Sequence, residues 1–167
     1  LMGGRTSMTL AENMTGMMEG VFVNVKNRSS TITADLVLPQ GVANGTILAQ
    51  GGRFGGWSLY VKDGVPAYDY NYLGLKRMSI VANKPLAPGN TTVKFDFAYD
   101  GGGPGKGGLG TLYVNGEKVA EGRLERTQAG MFSADETADV GVDLGTPVVE
   151  AIGSDAKSKF TGRIPKI

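Results

Sequence analysis

Aromatic and polar side chains alternate around one predicted hairpin, in a pattern that could bind a saccharide or a protein partner. Exposed rings beside amide and guanidinium donors are typical of sugar-stacking surfaces. The alternative is that alternate aromatic residues fill the core of a β-structure. The rings are Trp57, Tyr60, Tyr68, Tyr70 and Tyr72. We take as candidate ligand- or partner-binding residues Arg53, Trp57, Tyr60, Tyr70, Asn71 and Arg77.

A group of acidic residues between positions 135 and 143 is chemically suited to calcium, which prefers carboxylate oxygens. Calcium is therefore a possible cofactor, with Asp135, Asp139 and Asp143 as candidate ligands, although their spacing follows no regular metal motif. Hydrolysis of a glycoside would need two carboxylates about 5–10 Å apart in a cleft. The Glu-x-Asp-x-x-Glu run of sandwich-fold glucanases is absent from the sequence.

The segment 101–108 carries six glycines and matches the letters of a dinucleotide-binding fingerprint. That fingerprint requires a helix after the loop, so that the helix N-terminus faces the pyrophosphate. Here an alternating pattern typical of strands follows. A P-loop is excluded as well, because Gly107 stands where Ser or Thr would hold magnesium. We therefore interpret the segment as a strand connection.

The absence of two residue types restricts catalysis more than any motif does. The 167 residues include no Cys and no His, so thiol chemistry, the usual general base and the commonest metal ligand are missing. We therefore predict that the protein has no catalytic residues and is not an enzyme. The net charge of +1 offers no basic surface for nucleic acid. No membrane span and no signal peptide are visible, so we expect a soluble domain of unknown localisation.

Short alternating segments along the whole chain predict the elements that position these residues. About ten strands are indicated, with Asp63-Gly64 and Asn115-Gly116 as tight hairpin turns. Val21–Val25 is also predicted as a strand, and residues 8–19 could form a helical turn. The 27 glycines and the turn spacing favour an all-β fold, an antiparallel two-sheet β-sandwich with jelly-roll topology. We therefore predict that residues 1–167 form a single domain.

Several motifs resemble those of a known family. They are the segments 51–57, 59–64, 70–75, 97–103 and 105–108, with further matches at 26–29, 112–116, 132–133, 139–141 and 160–162. In this order they resemble the C-terminal β-sandwich domain of large bacterial arylsulfatases, which is similar to concanavalin A and laminin G modules. The catalytic Cys/Ser-x-Pro-x-Arg motif of that family is absent. The resemblance implies a concanavalin A-like jelly roll without sulfatase chemistry.

Two functions of different classes remain open from the sequence. The first is a non-catalytic accessory or interaction module, whose partner is a sulfatase catalytic domain or another protein surface. The alternative is a lectin-like carbohydrate-binding module that uses the region from Trp57 to Tyr72. The family has a further apolar strand after Phe160-Thr161-Gly162, so the last strand is predicted to be truncated. An unpaired edge would favour homo-oligomers.

Overall fold

The computed structural model describes residues 4–167 as two antiparallel sheets of five strands each. The first sheet has the strand order β10-β1-β6-β7-β8, and the second has the order β5-β4-β3-β2-β9. The predicted all-β two-sheet sandwich is therefore confirmed. The single domain predicted for 1–167 includes residues 1–3, which lie outside the described part. The strands are β1 (Ser30–Leu38), β2 (Gly45–Gly52), β3 (Gly55–Lys62), β4 (Val65–Tyr72), β5 (Lys76–Val81), β6 (Gly89–Tyr99), β7 (Gly108–Val114), β8 (Glu117–Leu124), β9 (Ala138–Val140) and β10 (Arg163–Lys166).

Both predicted hairpin turns are present. Asp63 and Gly64 have φ values of 51° and 80°, and they connect β3 to β4. Asn115 and Gly116 have φ values of 49° and 83°, and they connect β7 to β8. Two successive positive φ values are those of a type I′ turn, whose twist matches that of the strands beside it.

Three local predictions are wrong. Val21–Val25 is not a strand, and residues 8–19 contain no helical turn. The acidic stretch 132–147, which the sequence predicts to be irregular, contains β9, and β9 pairs with β2 because Leu48 and Val140 can both face the core. Within residues 4–167 the only helix is a short 3₁₀ helix, Asp155–Ser158. No helix there is long and apolar enough to cross a membrane.

The core between the sheets is built around a stack of rings. The centroids of Trp57 and Tyr68 lie 6.1 Å apart, and those of Tyr68 and Phe95 lie 3.7 Å apart. These rings come from β3, β4 and β6, so the stack joins the second sheet to the first. Burying large aromatic side chains in this way dominates the hydrophobic stabilisation of such a sandwich.

The second sheet is covered on its outer face as well. Residues 141–158, here called the cover segment, place Val148 and Val149 against Tyr60 and Ala67. All eight residues of β2 are buried as a result, as are seven of the eight in β3. Sheets that are buried on both faces lose the clean alternation of apolar and polar residues.

The open side of the sandwich is closed by residues 10–17, here called the edge segment. At one end, the N–H and carbonyl groups of Leu10 and Ile167 exchange hydrogen bonds of 2.8 and 2.9 Å. At the other end, Met17 and Ala138 exchange hydrogen bonds of 3.2 and 2.8 Å beside β9. The edge segment therefore runs from Ile167, which follows β10 of the first sheet, to β9, which is the edge strand of the second sheet.

Candidate ligand-binding sites

The predicted aromatic residues lie in the interior. Trp57 is 1% exposed, Tyr70 4% and Tyr60 6%. Their polar atoms have internal partners: Trp57 Nε1 donates to Gln50 Oε1 at 3.1 Å, and Tyr70 Oη accepts from the Gln128 N–H at 2.7 Å. The hypothesis that these rings form an exposed stacking surface is wrong, because β3 and β4 are central strands with both faces covered. The alternative, that such rings fill the core, is confirmed for Trp57, Tyr68 and Tyr70, whereas Tyr72 is half-buried.

Tyr60 faces the cover segment rather than the core between the sheets. Its hydroxyl donates to Asp69 Oδ1 at 2.9 Å. Burial raises the pKa of Tyr60, and the neighbouring Asp69 carboxylate raises it further. Burial also raises the pKa of Asp69, partly offset by its hydrogen bonds to Tyr60 and Ser79. This pair therefore satisfies polar groups beneath the cover segment and has no open face for a ligand.

Asn71, predicted as a ligand donor, ties two turns together. Its side chain is fully buried, and Nδ2 donates to the carbonyls of Gly52 and Arg53, both at 2.8 Å. Its Oδ1 accepts from the Gly74 N–H at 3.0 Å. Because all three bonds go to backbone groups, the Asn71 amide fixes the β2–β3 turn against the β4–β5 turn.

The two turns held by Asn71 carry exposed apolar side chains. Phe54 is 75% exposed, Leu73 45% and Leu75 80%, and we call these three residues the hairpin-tip patch. A Cβ added to Gly74 would lie 3.8 Å from Phe54 Cδ1, so the two turns are in contact. Leu73 has a φ of 54°, a conformation that a branched apolar residue adopts at a cost. Exposed apolar residues on a fixed backbone are characteristic of interaction surfaces.

Arg53 and Arg77, the remaining predicted binding residues, meet at one carboxylate. Arg53 Nε lies 3.0 Å from Glu150 Oε1, and Arg77 Nη2 lies 3.8 Å from the same oxygen. Arg77 Nε also donates to the Val148 carbonyl at 3.4 Å. Both guanidinium groups thus bind the cover segment to the second sheet, although Arg53 is still half-exposed.

The three calcium candidates are not gathered into a site. Asp135 is exposed, whereas Asp139 is buried and accepts from the Gly16 N–H at 2.7 Å and from the Thr137 hydroxyl. Asp143 belongs to the cover segment and is also buried. The part of the chain that the structure describes contains no group of three or more His, Cys, Asp or Glu side chains arranged to hold a metal ion.

Asp143 has an unusual environment. Its pKa is raised to about 7, mainly by burial, and the carboxylates of Asp139, Glu136 and Asp155 contribute to this rise. A hydrogen bond of 2.8 Å from the Val148 N–H to Oδ2 opposes this shift. Oδ1 has no hydrogen-bond partner in the described residues. A buried carboxyl group near other carboxylates favours the protonated form.

A first concave surface, here called the end groove, lies where the loops of both sheets meet. It has a volume of about 570 Å³ and contains polar and charged groups from three segments. These segments are the end of β4, the glycine-rich β6–β7 loop and the chain after β8. Its lining includes Tyr72, Asp100, Lys106, Glu125 and Arg126.

A second concave surface, here called the side cleft, lies between β9 and β10. It has a volume of about 520 Å³, and buried Val140, Phe160 and Ile164 form its apolar part. The edge segment closes one side and the 3₁₀ helix the other. The polar residues in its lining are Glu12, Asn13, Thr15, Asp155, Lys159 and Arg163.

The lining of the side cleft contains two acidic and two basic side chains, and one of each sign has no ion-pair partner among the described residues. Arg163 Nε lies 2.9 Å from Glu12 Oε1, and the Ile164 N–H also donates to that carboxylate. Asp155 and Lys159 form no ion pair within residues 4–167. Asn13 and Asp155 have φ values of 68° and 54°, a strained conformation that often occurs in ligand sites. An apolar surface with a few converging polar groups suits a small polyhydroxylated ligand.

Sequence reasoning missed the residues of the side cleft. Positions 12–15, 140, 155–159 and 163 are far apart in sequence, and only position 140 lies in one of the segments that carry the family resemblance. The end groove could have been anticipated in part, since Tyr72 and the 101–108 segment both stood out.

Comparison with known proteins identifies the fold. No protein-family model and no curated protein matches this chain. Among solved structures, this chain is similar to the CBM40 domain of the Ruminococcus gnavus IT-sialidase bound to alpha2,3-sialyllactose. The TM-score is 0.57 and the sequence identity is 15%. The match covers 83% of this chain and 73% of the CBM40 chain.

Two further structures share this likeness. A heptameric SAP-like pentraxin from Limulus polyphemus has a TM-score of 0.51 and 17% identity, with 84% of this chain and 62% of that one covered. The leech intramolecular trans-sialidase has a TM-score of 0.54 and 14% identity, but this chain covers only 21% of it. The protein therefore has a lectin-like jelly-roll fold of the concanavalin A type. None of these three structures is an arylsulfatase, and that resemblance stays a prediction.

Proposed function

We propose that this protein is a non-catalytic carbohydrate-binding module with its ligand site in the side cleft. The observation that carries the proposal is an apolar surface beside two exposed charged side chains, Asp155 and Lys159, that form no ion pair within the described residues. The fold that the chain shares with a module bound to sialyllactose supports the same conclusion. Fold alone does not fix function, so the argument depends on the cleft.

The side cleft matches the two chemical faces of a sugar ring. The C–H face of a pyranose would pack against Phe160 and Ile164, which removes apolar surface from water. Its hydroxyl groups would donate to the Asp155 carboxylate and accept from the Lys159 ammonium group. The volume of about 520 Å³ is sufficient for a small saccharide.

The same residues argue against hydrolysis. Glycosidases use two free carboxyl groups on either side of the scissile bond. In the side cleft, Glu12 is already bound by Arg163 and by the Ile164 N–H, which leaves Asp155 as the one unpaired acid among the described lining residues. The absence of His from the sequence removes the usual general base as well.

Titration of the intact chain with a panel of neutral mono- and oligosaccharides, followed by NMR shifts and calorimetry, tests this proposal. We expect shifts at the side cleft and a loss of about tenfold in affinity for Asp155→Asn and Lys159→Gln, because each removes a charged hydrogen-bond partner. Lys157→Gln, on the same 3₁₀ helix but outside the cleft lining, is the matched control. A panel that leaves the cleft resonances unmoved would refute the proposal.

A second candidate is an interaction module whose partner is a sulfatase catalytic domain or another protein surface. The hairpin-tip patch favours it, because Phe54 and Leu75 expose apolar area that a partner would bury. Binding to a purified arylsulfatase catalytic domain, measured with and without Phe54→Ser and Leu75→Ser, tests it. No binding by the unsubstituted chain would remove this candidate.

A further inference from the structure

The end groove carries an excess of free positive charge, because its acids are neutralised from outside. Arg123, outside the groove lining, binds Asp100 through two hydrogen bonds, one of 2.9 Å. This contact holds the pKa of Asp100 below its usual value. Lys76, also outside the lining, forms an ion pair with Glu125.

The two cations that line the groove are left without such partners. Lys106 and Arg126 form no ion pair with any residue in the range 4–167. Both are exposed, and both face the same concave surface of about 570 Å³. The free charge in this groove is therefore positive, in contrast to the balanced side cleft.

The backbone around Lys106 is fixed before any ligand arrives. Its N–H donates to Tyr99 Oη at 3.0 Å, and its carbonyl accepts from the Thr127 hydroxyl at 2.6 Å. The second bond links the glycine-rich loop to the chain after β8. Because the backbone at Lys106 is ordered, only its side chain loses conformational freedom when a ligand binds.

Asn27 joins the same two walls from a third part of the chain. Its Oδ1 accepts from the Gly105 N–H at 2.8 Å, and its Nδ2 donates to the Ala129 carbonyl at 2.9 Å. The width of the groove is thus set by hydrogen bonds at both walls.

Arg126 is also held in place, by an aromatic ring. Its guanidinium carbon lies 5.3 Å from the centroid of Tyr72. This contact restrains the cation and leaves its N–H groups available to an anion. It also covers one face of the Tyr72 ring, and no other aromatic residue lines the groove.

We propose that the end groove is a second saccharide subsite that binds an anionic substituent, a sulfate ester or a carboxylate, through Lys106 and Arg126. The inference rests on the proposed carbohydrate-binding function and adds a charged site to it. A bidentate guanidinium and a nearby ammonium group match the oxygens of such substituents. Single-stranded nucleic acid fits less well, because base recognition uses exposed aromatic rings.

Calorimetric titration with four probes tests this subsite. They are a sulfated galactan oligosaccharide, the same oligosaccharide after desulfation, an oligogalacturonate and a single-stranded oligonucleotide of similar charge. We expect the sulfated probe, the carboxylated probe or both to bind more tightly than the neutral one, with weaker binding at high salt. The sulfate and carboxylate probes distinguish the two sources of negative charge.

The variant Lys106→Gln/Arg126→Gln should bind the acidic probes at least about tenfold more weakly, because two charged hydrogen-bond donors are lost. Lys62→Gln/Lys166→Gln is the matched control, since it removes two exposed cations that also have no ion pair in the described chain and lie outside the groove. Both variants should keep the affinity of the side cleft for neutral saccharides.

Several outcomes would overturn the subsite. They are binding of both acidic probes no tighter than that of the desulfated probe, tighter binding of the oligonucleotide, or equal losses in the groove and control variants. Acidic probes that respond to Asp155→Asn but not to the groove variant would overturn the subsite while the proposed function stands. If no saccharide binds, both proposals fail together.

Discussion

Asp143 couples the stability of this protein to pH. Its pKa in the folded state is about 7, against an ordinary value of 3.8. Between these values the folded state keeps a proton that the unfolded state has released. The stability that this proton contributes is complete below about pH 4 and is lost as pH rises through 7. The cover segment should therefore be held most firmly in mild acid.

Replacement of Asp143 by Asn should remove this pH dependence. The amide oxygen can still accept from the Val148 N–H, and no charge has to be buried at neutral pH. We expect the Asn variant to be more stable than the parent at pH 8, by on the order of 2 kcal/mol, and close to it near pH 4. Urea unfolding across this range measures the effect.

Asp135→Asn is the control for that experiment, because Asp135 is exposed in the same acidic stretch. The account of this carboxyl group would be contradicted if the unfolding free energy of the parent protein rose from pH 4 to pH 8 and the Asp143→Asn variant showed the same dependence on pH.

Among the elements, the β2–β3 hairpin depends on a close approach of two backbones. Gly51 has a φ of 86°, and a Cβ at this position would lie 2.2 Å from the Gly55 carbonyl oxygen. Gly102 has a similar φ of 77°, but a Cβ there would meet nothing within 4 Å. Both positions have a positive φ, which a residue with a Cβ adopts at a cost, but the space around them differs.

Gly51→Ala should therefore cost far more than Gly102→Ala. We expect a loss of at least about 3 kcal/mol in unfolding free energy for Gly51→Ala, because a backbone atom must move. Gly102→Ala should lose only about 1 kcal/mol from the unfavourable φ. Thermal and urea unfolding compare the two, and equal losses would show that φ alone controls this turn.

The sequence predicts the strands better than it predicts their surroundings. The bounds of β1 and β4 follow from alternation, and both type I′ turns follow from Asp-Gly and Asn-Gly. Alternation cannot tell that β3 and β4 are covered on both faces, so the same pattern fitted an exposed ring surface and a core. In the cover segment, Val148, Val149 and Ile152 pack against the sheet, but no regular spacing of apolar residues predicts this contact.

At the scale of the molecule, the edge segment protects two strands from other chains. Unpaired edge strands promote association, and the sequence suggested a homo-oligomer on that ground. In the structure, the Val140 N–H donates to the Met14 carbonyl at 2.9 Å, beside the bonds that Leu10 makes with Ile167. The edges next to the side cleft are thus satisfied within the chain.

Removal of residues 1–17 should uncover these edges. We expect the shortened protein to associate and so to have a larger mass by light scattering than the full chain at the same concentration. The reason is that the backbone groups of β9 and Ile167 lose their hydrogen-bond partners. Circular dichroism checks that the sheets remain. A folded, shortened chain with an unchanged mass would show that the edge segment has no protective role.

The Asn71 contacts have a thermodynamic consequence for any partner of the hairpin-tip patch. Phe54, Leu73 and Leu75 project from turns whose backbone is already ordered by a buried amide. The conformational entropy of these turns is therefore lost during folding and does not have to be lost again on association. A partner that covers the patch should give a negative heat-capacity change from apolar burial, without the entropy penalty of ordering a loop.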